Sequence, residues 1–165
     1  MPDGSLDRSF GQGGRVIAPR WVHGRITALT IRRDGSILAG ANGSTRRGTG
    51  SRALLLRYSP DGKLDLHFGA MATPDSRSDP ASTPIAVVRT RHRIFLASRG
   101  KGPSIQAFRL NGQPLRLGRV RGVPQDRLFH IDAASQSREP RLILAYTPKH
   151  QPDQAVVRIE RFLLR

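Results

Sequence analysis

Residues 2–11 read Pro-Asp-Gly-Ser-Leu-Asp-Arg-Ser-Phe-Gly and residues 60–69 read Pro-Asp-Gly-Lys-Leu-Asp-Leu-His-Phe-Gly. Seven of the ten positions repeat in unchanged register, 58 residues apart. A self-match at that period marks a repeat architecture, in which one unit cannot bury its apolar face alone and stacks on a neighbour.

The chain between the two copies resolves into short strands. Ile26 to Ile31 is rich in β-branched residues and is followed by Arg32-Arg33-Asp34-Gly35 and then by Ser36 to Gly40. An Asp-Gly pair between two such runs predicts a hairpin with a two-residue type I′ turn. A loop over 41–51 follows, then a third strand over 52–59, a turn at Pro60-Asp61-Gly62 and a fourth strand over 63–68. Four antiparallel strands per period is the layout of a propeller blade.

A second period is legible beyond the loop of residues 69–83. Ile85 to Val88 stands where Thr27 to Thr30 stood, and Ile94 to Ser98 matches Ser36 to Gly40 at the same offset. Ile105 to Leu110 is expected to follow Leu54 to Tyr58, with Arg109 in the place of Arg57 and a shorter turn at Asn111-Gly112. The third period holds Leu128 to Ile131, Arg141 to Tyr146 and Ala155 to Leu164, with Val157-Arg158-Ile159 in the Leu56-Arg57-Tyr58 slot. The runs Ala53 to Leu56 and Ile85 to Val88 are continuously apolar, as in strands covered on both faces. The chain is therefore expected to be all-β, a single domain over 1–165 of about three four-stranded blades. The repeats span roughly 15–69, 70–117 and 118–165, and residues 2–14 complete a blade.

Composition narrows the classes of function. At 165 residues with 37% hydrophobic content the chain can bury a sizeable core. No apolar run approaches the ~18 residues of a membrane-spanning helix, and the N-terminus lacks the basic and apolar regions of a secretory signal. Zero cysteines exclude disulfides, thiolate metal sites and a cysteine nucleophile. The net charge is +16, and 25 of the 28 basic residues are arginine, spread along the chain. That charge makes weak polyanion binding an expectation to test, with nucleic acid among the polyanions.

The pattern apolar-x-Pro-Asp-Gly-x-Leu-Asp-x-x-Phe-Gly, preceded by Asp-Gly-x-Ile-Leu-x-Gly, resembles the delta-60 repeat of bacterial β-propeller-like proteins. The resemblance covers residues 2–16 and 26–69 best and weakens through 85–112 and 128–164. It implies tandem blades, often in secreted or surface-associated proteins, with no defined activity or cofactor.

The residues that carry chemistry elsewhere are arranged for structure here. Asp3, Asp7, Asp61 and Asp65 recur on tight turns, two carboxylates per repeat, short of the six to eight oxygens calcium needs. They are expected to shape turns and to accept local backbone hydrogen bonds. Phe10 and Phe68 are expected to pack between blades. His23, His67, His92, His130 and His150 show no ligand-pair spacing. No Gly-x-Ser-x-Gly elbow or Walker loop occurs. Neither a metal nor another cofactor is expected, and the sequence points to a non-enzymatic scaffold or binding module of unknown ligand.

The alternatives are a polyanion binder or a fragment of a longer propeller. The longer loops, after the second strand of each blade, carry the candidate binding residues Arg46, Arg47 and Arg52, Arg99 and Lys101, and Lys149 and His150. Because residues 2–10 match a fourth strand and residues 155–164 a third, a homodimer completing a six-blade ring is a further expectation.

Overall fold

The computed structural model describes residues 4–20, 22, 25–43, 52–68, 83–99, 103–115, 127–134, 141–147 and 158–163. They form ten strands: β1 Ile26–Ile31, β2 Ile37–Gly43, β3 Arg52–Tyr58, β4 Thr83–Arg89, β5 Arg93–Arg99, β6 Pro103–Arg109, β7 Pro114–Leu115, β8 Arg127–Ala134, β9 Arg141–Thr147 and β10 Arg158–Leu163. Three antiparallel sheets result, β1-β2-β3, β4-β5-β6-β7 and β8-β9-β10, an all-β architecture consistent with a partial β-propeller. Among the described residues no helix is long and apolar enough to cross a membrane.

The first strands of the three sheets run beside one another, β1 against β4 and β4 against β8, whereas the first and third sheets share no substantial contact. The described sheets therefore form an open series of three blades. Each first strand carries a register shift at the same place, between Ile26 and Ala28, Pro84 and Ala86, and Leu128 and His130. A shared bulge twists each first strand alike and fixes the equivalence of the blades better than residue identity does.

Cross-strand register sorts each blade into two faces, because directly opposed residues point the same way. On one face of the first blade Ala28 lies opposite Gly40 and Gly40 opposite Leu55, with Leu38 and Ala53 in the flanking rows. These residues meet Val87, Ile94, Leu96 and Phe108 of the second blade in one buried cluster, which Phe68 closes. The other face, Ala39, Ala41, Leu54, Leu56 and Tyr58, is covered in part by Ala18 and Val22. The continuous apolar run of β3 is thus buried on both sides, as its sequence predicts. Two hydrogen bonds stitch the inner strands: Thr27 Oγ1 donates to the Pro84 carbonyl at 2.6 Å and Asn42 Nδ2 to Thr83 Oγ1 at 3.1 Å.

The turns correct the expected geometry. Arg32 N–H donates to the Ser36 carbonyl at 2.8 Å and Gly35 N–H to the Arg32 carbonyl at 2.9 Å, with Gly35 at φ +76°. Three residues lie between the paired positions, so the loop is a turn closed by a left-handed glycine and not the two-residue type I′. The same bonds recur over Ser59–Lys63, with Gly62 at φ +85°, and over Arg109–Gln113, with Gly112 at φ +85°. The Asn111-Gly112 turn therefore equals the Asp61-Gly62 turn in length, and Arg109 takes the place of Ser59, not of Arg57. The shortening falls in the connection between β5 and β6. The β4–β5 turn has only Arg91 and His92 between Thr90 and Arg93, where Thr90 N–H meets the Arg93 carbonyl at 2.8 Å. Ile94 thus matches Ile37, one residue off the sequence offset. In the third blade Phe162 lies opposite Leu142 as Tyr58 lies opposite Ile37. Glu160-Arg161-Phe162, and not Val157-Arg158-Ile159, occupies the Leu56-Arg57-Tyr58 slot.

The expected fourth strand of the first blade shrinks to a bridge between Tyr58 and Leu64. The cause is Asp65, whose Oδ1 accepts the His67 N–H at 2.9 Å and turns the chain, while its Oδ2 takes Arg57 Nε at 2.8 Å and also Nη2. The same guanidinium lies 4.7 Å from the centre of the Phe68 ring. This Arg57–Asp65–Phe68 clamp ties the end of the first blade to its third strand. Asp7 accepts the Ser9 N–H at 2.9 Å in the same way, so both second aspartates of the motif hold local backbone as expected.

Two measurements test this packing. A Cβ on Gly40 would lie 2.9 Å from Pro84 Cβ and 3.0 Å from Val87 Cγ2, so Gly40→Val should lower stability by about 2–3 kcal/mol in urea unfolding. A variant as stable as the parent would show that the blades do not meet there. The Arg57 hydrogen bond, foremost, holds the Asp65 pKa below the ordinary 3.8. A depressed carboxylate stabilises the fold above its unfolded pKa, and that contribution disappears as the pH falls through the folded pKa. Asp65→Asn should cost about 1–2 kcal/mol at pH 7 and flatten the loss of stability below about pH 4. An unchanged acid limb would place the acid sensitivity elsewhere.

Candidate functional site

Of the seven loop residues singled out by sequence, two lie in described strands. Arg52 opens β3 opposite Gly43, and Arg99 closes β5 opposite Thr83 and Pro103. Arg52 stands where the long connection from Gly43 ends, whereas only residues 100–102 separate Arg99 from Pro103, so the expected longer loop is absent from the second blade. Arg46, Arg47, Lys101, Lys149 and His150 lie outside the described residues.

The opposite end of the blades gathers charge instead. The turns after β1, β3, β4 and β6 are set by hydrogen bonding. Asp34 Oδ1 accepts the Ser36 N–H at 3.1 Å and its hydroxyl at 2.7 Å. Gln113 N–H finds Asn111 Oδ1 at 3.1 Å, and Arg93 N–H finds Thr90 Oγ1 at 3.1 Å. Turns held this tightly present their flanking side chains from a rigid base. Between the first turns of the first and second blades lies a cleft of about 510 Å³ lined by Arg32, Arg33, Asp34, Arg89, Thr90 and Arg91.

Four guanidinium groups face one carboxylate in that cleft. Asp34 is already engaged, with Oδ2 3.2 Å from Arg32 Nη2. Its pKa is held down chiefly by the Ser36 hydroxyl and backbone N–H, with the charges of Arg32 and Arg89 adding to the effect. Asp34 is therefore ionised at neutral pH and offsets a single positive charge. Arg33, Arg89 and Arg91 have no carboxylate partner among the described residues. The buried Nε–H groups of Arg32 and Arg89 have no acceptor there either, and an unmet buried donor costs roughly 1–3 kcal/mol.

A second cleft of about 590 Å³ adjoins the first, sharing Arg32 and Asp34 and extending past Tyr58 and Pro60 to Asp65. Its charges cancel: Lys63 Nζ lies 2.8 Å from Asp61 Oδ2 and Arg57 holds Asp65. Lys63 and Ser59 bring the Asp61 pKa down to about 2. The two clefts thus differ in kind, one self-neutralised and the other left with a surplus of three guanidinium groups. The surplus suits an anion with several oxygens, since guanidinium donors pair with carboxylate and phosphate edges.

The sequence holds a signal for this cluster. Arg33 and Arg91 are 58 residues apart, at the repeat offset, each inside the first turn of its blade. Turn geometry alone explains Asp34 and Gly35 but gives no reason for arginines beside them.

Comparison with known proteins bears on the fold. No curated protein matches the chain, and no solved structure matches it. A family model described as "Domain of unknown function (DUF5122) beta-propeller" matches residues 32–68, from the first turn of the first blade to its closing phenylalanine, and supports a β-propeller repeat family for this chain.

Proposed function

We propose that this protein is a non-enzymatic binding module of the propeller type, which takes polyanionic ligands at the arginine-lined cleft between its first two blades. The observation that carries this reading is the surplus of Arg33, Arg89 and Arg91 over carboxylates on one rigid set of turns. It moves the recognition surface from the longer loops, where sequence alone sets it, to the opposite end of the blades. Arg32 and Arg89 are half-buried and so less screened by salt, while Arg33 and Arg91 stand exposed at the mouth of the cleft, where a ligand reaches them.

Binding of duplex DNA and of a heparin oligosaccharide, each at two salt concentrations, tests the site. Replacing Arg33, Arg89 and Arg91 by alanine together should weaken binding about 10- to 100-fold, and the DNA salt slope should become shallower by about 2–3 as counterion release is lost. The matching variant Arg46→Ala, Arg47→Ala, Lys101→Ala should change affinity far less. The reverse result would return the site to the longer loops, and no effect from either variant would leave only diffuse charge. Asp34→Ser, which keeps a hydroxyl to cap the turn and removes the one carboxylate, should tighten binding about two- to fivefold. Weaker binding in that variant would show Asp34 positioning an arginine.

A further inference from the structure

The two adjoining clefts present different chemistry to a ligand that crosses them. In the arginine cleft Arg33, Arg89 and Arg91 have no carboxylate partner among the described residues, so a group that seats there carries negative charge. In the second cleft each charge already has its partner: Arg32 has Asp34, Lys63 Nζ lies 2.8 Å from Asp61 Oδ2, and Arg57 Nε donates to Asp65 Oδ2 at 2.8 Å. A further anion would have to draw a lysine or arginine off its carboxylate, and a cation would have to draw the carboxylate away. Neither exchange gains a pair.

Hydrogen-bonding capacity is left over in the second cleft where charge is not. Asp61 Oδ1 takes the Ser59 hydroxyl and Oδ2 takes Lys63 Nζ. A carboxylate has about four acceptor sites and an ammonium three donors, so unused lone pairs and N–H groups stand side by side there. The side chains of Asp61 and Lys63 are 49% and 84% exposed, within reach of a ligand. Hydroxyl groups, which both donate and accept, use such a wall without breaking a pair. At about 590 Å³ the cleft has the size of a small-ligand site.

Arg32 and Asp34 line both clefts, so the crossing from one to the other is marked by a carboxylate. A chain with a charge on every unit, polyphosphate and duplex DNA alike, brings its next charge against Asp34 and then Asp61, where no cation is free. Single-stranded nucleic acid is disfavoured on a second ground, because its bases bind by stacking on aromatic faces. Among the described residues Tyr58 is the one aromatic that lines either cleft, and it is only 4% exposed. The arrangement suits a chain whose charged units are separated by neutral, hydroxyl-rich ones.

We infer, resting on the arginine cleft as the anion site, that the ligand is an acidic polysaccharide in which charged and neutral sugar units alternate. The anionic group of one unit seats among Arg33, Arg89 and Arg91, and the neutral unit beside it lies in the second cleft, its hydroxyls against Asp61 and Lys63. The arginines then supply most of the attraction and its dependence on salt. The second cleft supplies the choice among polyanions, by accepting a neutral unit and leaving a second charge unpaired.

Calorimetric titration of the full chain with probes of equal charge tests the assignment: a hyaluronan oligosaccharide, whose carboxylated and neutral units alternate, inorganic polyphosphate, and oligothymidylate. Asp61→Ala and Lys63→Ala together leave the net charge and the arginine cleft unaltered. The pair should weaken oligosaccharide binding about five- to tenfold and leave the other probes within about twofold. Replacing Arg33, Arg89 and Arg91 by alanine should weaken all of them. With the parent chain, which needs no variant to fold, affinity extrapolated to about 1 M salt should stay measurable for the oligosaccharide and vanish for polyphosphate, because counterion release no longer contributes. An Asp61–Lys63 variant that loses nothing for the oligosaccharide, or loses equally for every probe, would overturn the polysaccharide and leave the arginine cleft standing, as would equal extrapolated affinities. An arginine variant that loses nothing for any probe would remove the arginine cleft itself, and the polysaccharide with it.

Discussion

The structure depends on how closely one blade can lie on the next. Two sheets packed face to face leave room for side chains from both, and here the closest point is held open by having none: Gly40 faces Pro84, Val87 and Leu96 across the interface. Leu38, Leu55, Ile94 and Phe108 fill the space around that contact, and all are fully buried or nearly so. Burial of this kind supplies most of the favourable free energy, about 25 cal/mol for each Å² of apolar surface removed from water. It also sets the spacing and direction of the inner strands, which Thr27 and Asn42 then fix by hydrogen bonds to the second blade.

Once the blades are stacked, their short turns come to one end in a row. Each turn is built for economy, with a short polar side chain (Asp34, Ser59, Thr90 or Asn111) accepting a backbone N–H, and in three of the four a glycine in the left-handed region. Economy leaves little room for anything but the flanking residues, and those flanks decide the electrostatics. Around Asp61 and Asp65 the flanks are a lysine and an arginine, and the charges cancel. Around Asp34 they are arginines from two blades, and the charges do not. Two neighbouring turns of one blade thus lie beside a neutral surface and a strongly positive one.

The two copies of the closing motif show how far a local sequence can carry its own structure. Asp7 and Asp65 make the same turn because the carboxylate, the backbone N–H two residues on and the phenylalanine N–H all lie within the motif. The burial of Phe68 and the pairing of Asp65 depend instead on Arg57, eight residues upstream on a neighbouring strand. Local chemistry repeats, and tertiary surroundings do not.

The division between sequence and fold follows from that. Strand order, blade count, the glycines at the turns and the burial of β3 on both faces were legible, since each rests on short-range patterning or on a repeat that can be counted. Register was less so. The sequence aligned Arg109 with Arg57 and Val157-Arg158-Ile159 with Leu56-Arg57-Tyr58, whereas hydrogen-bonded pairing places Arg109 with Ser59 and Arg161 with Arg57. A residue inserted in a loop shifts every later match, and only cross-strand pairing restores the count. The cleft was legible only as two arginines at one repeat spacing. Its surplus of charge arises because Arg89 and Arg91 of one blade approach Asp34 of another, and no pattern along the chain encodes which of its charges are left without a partner.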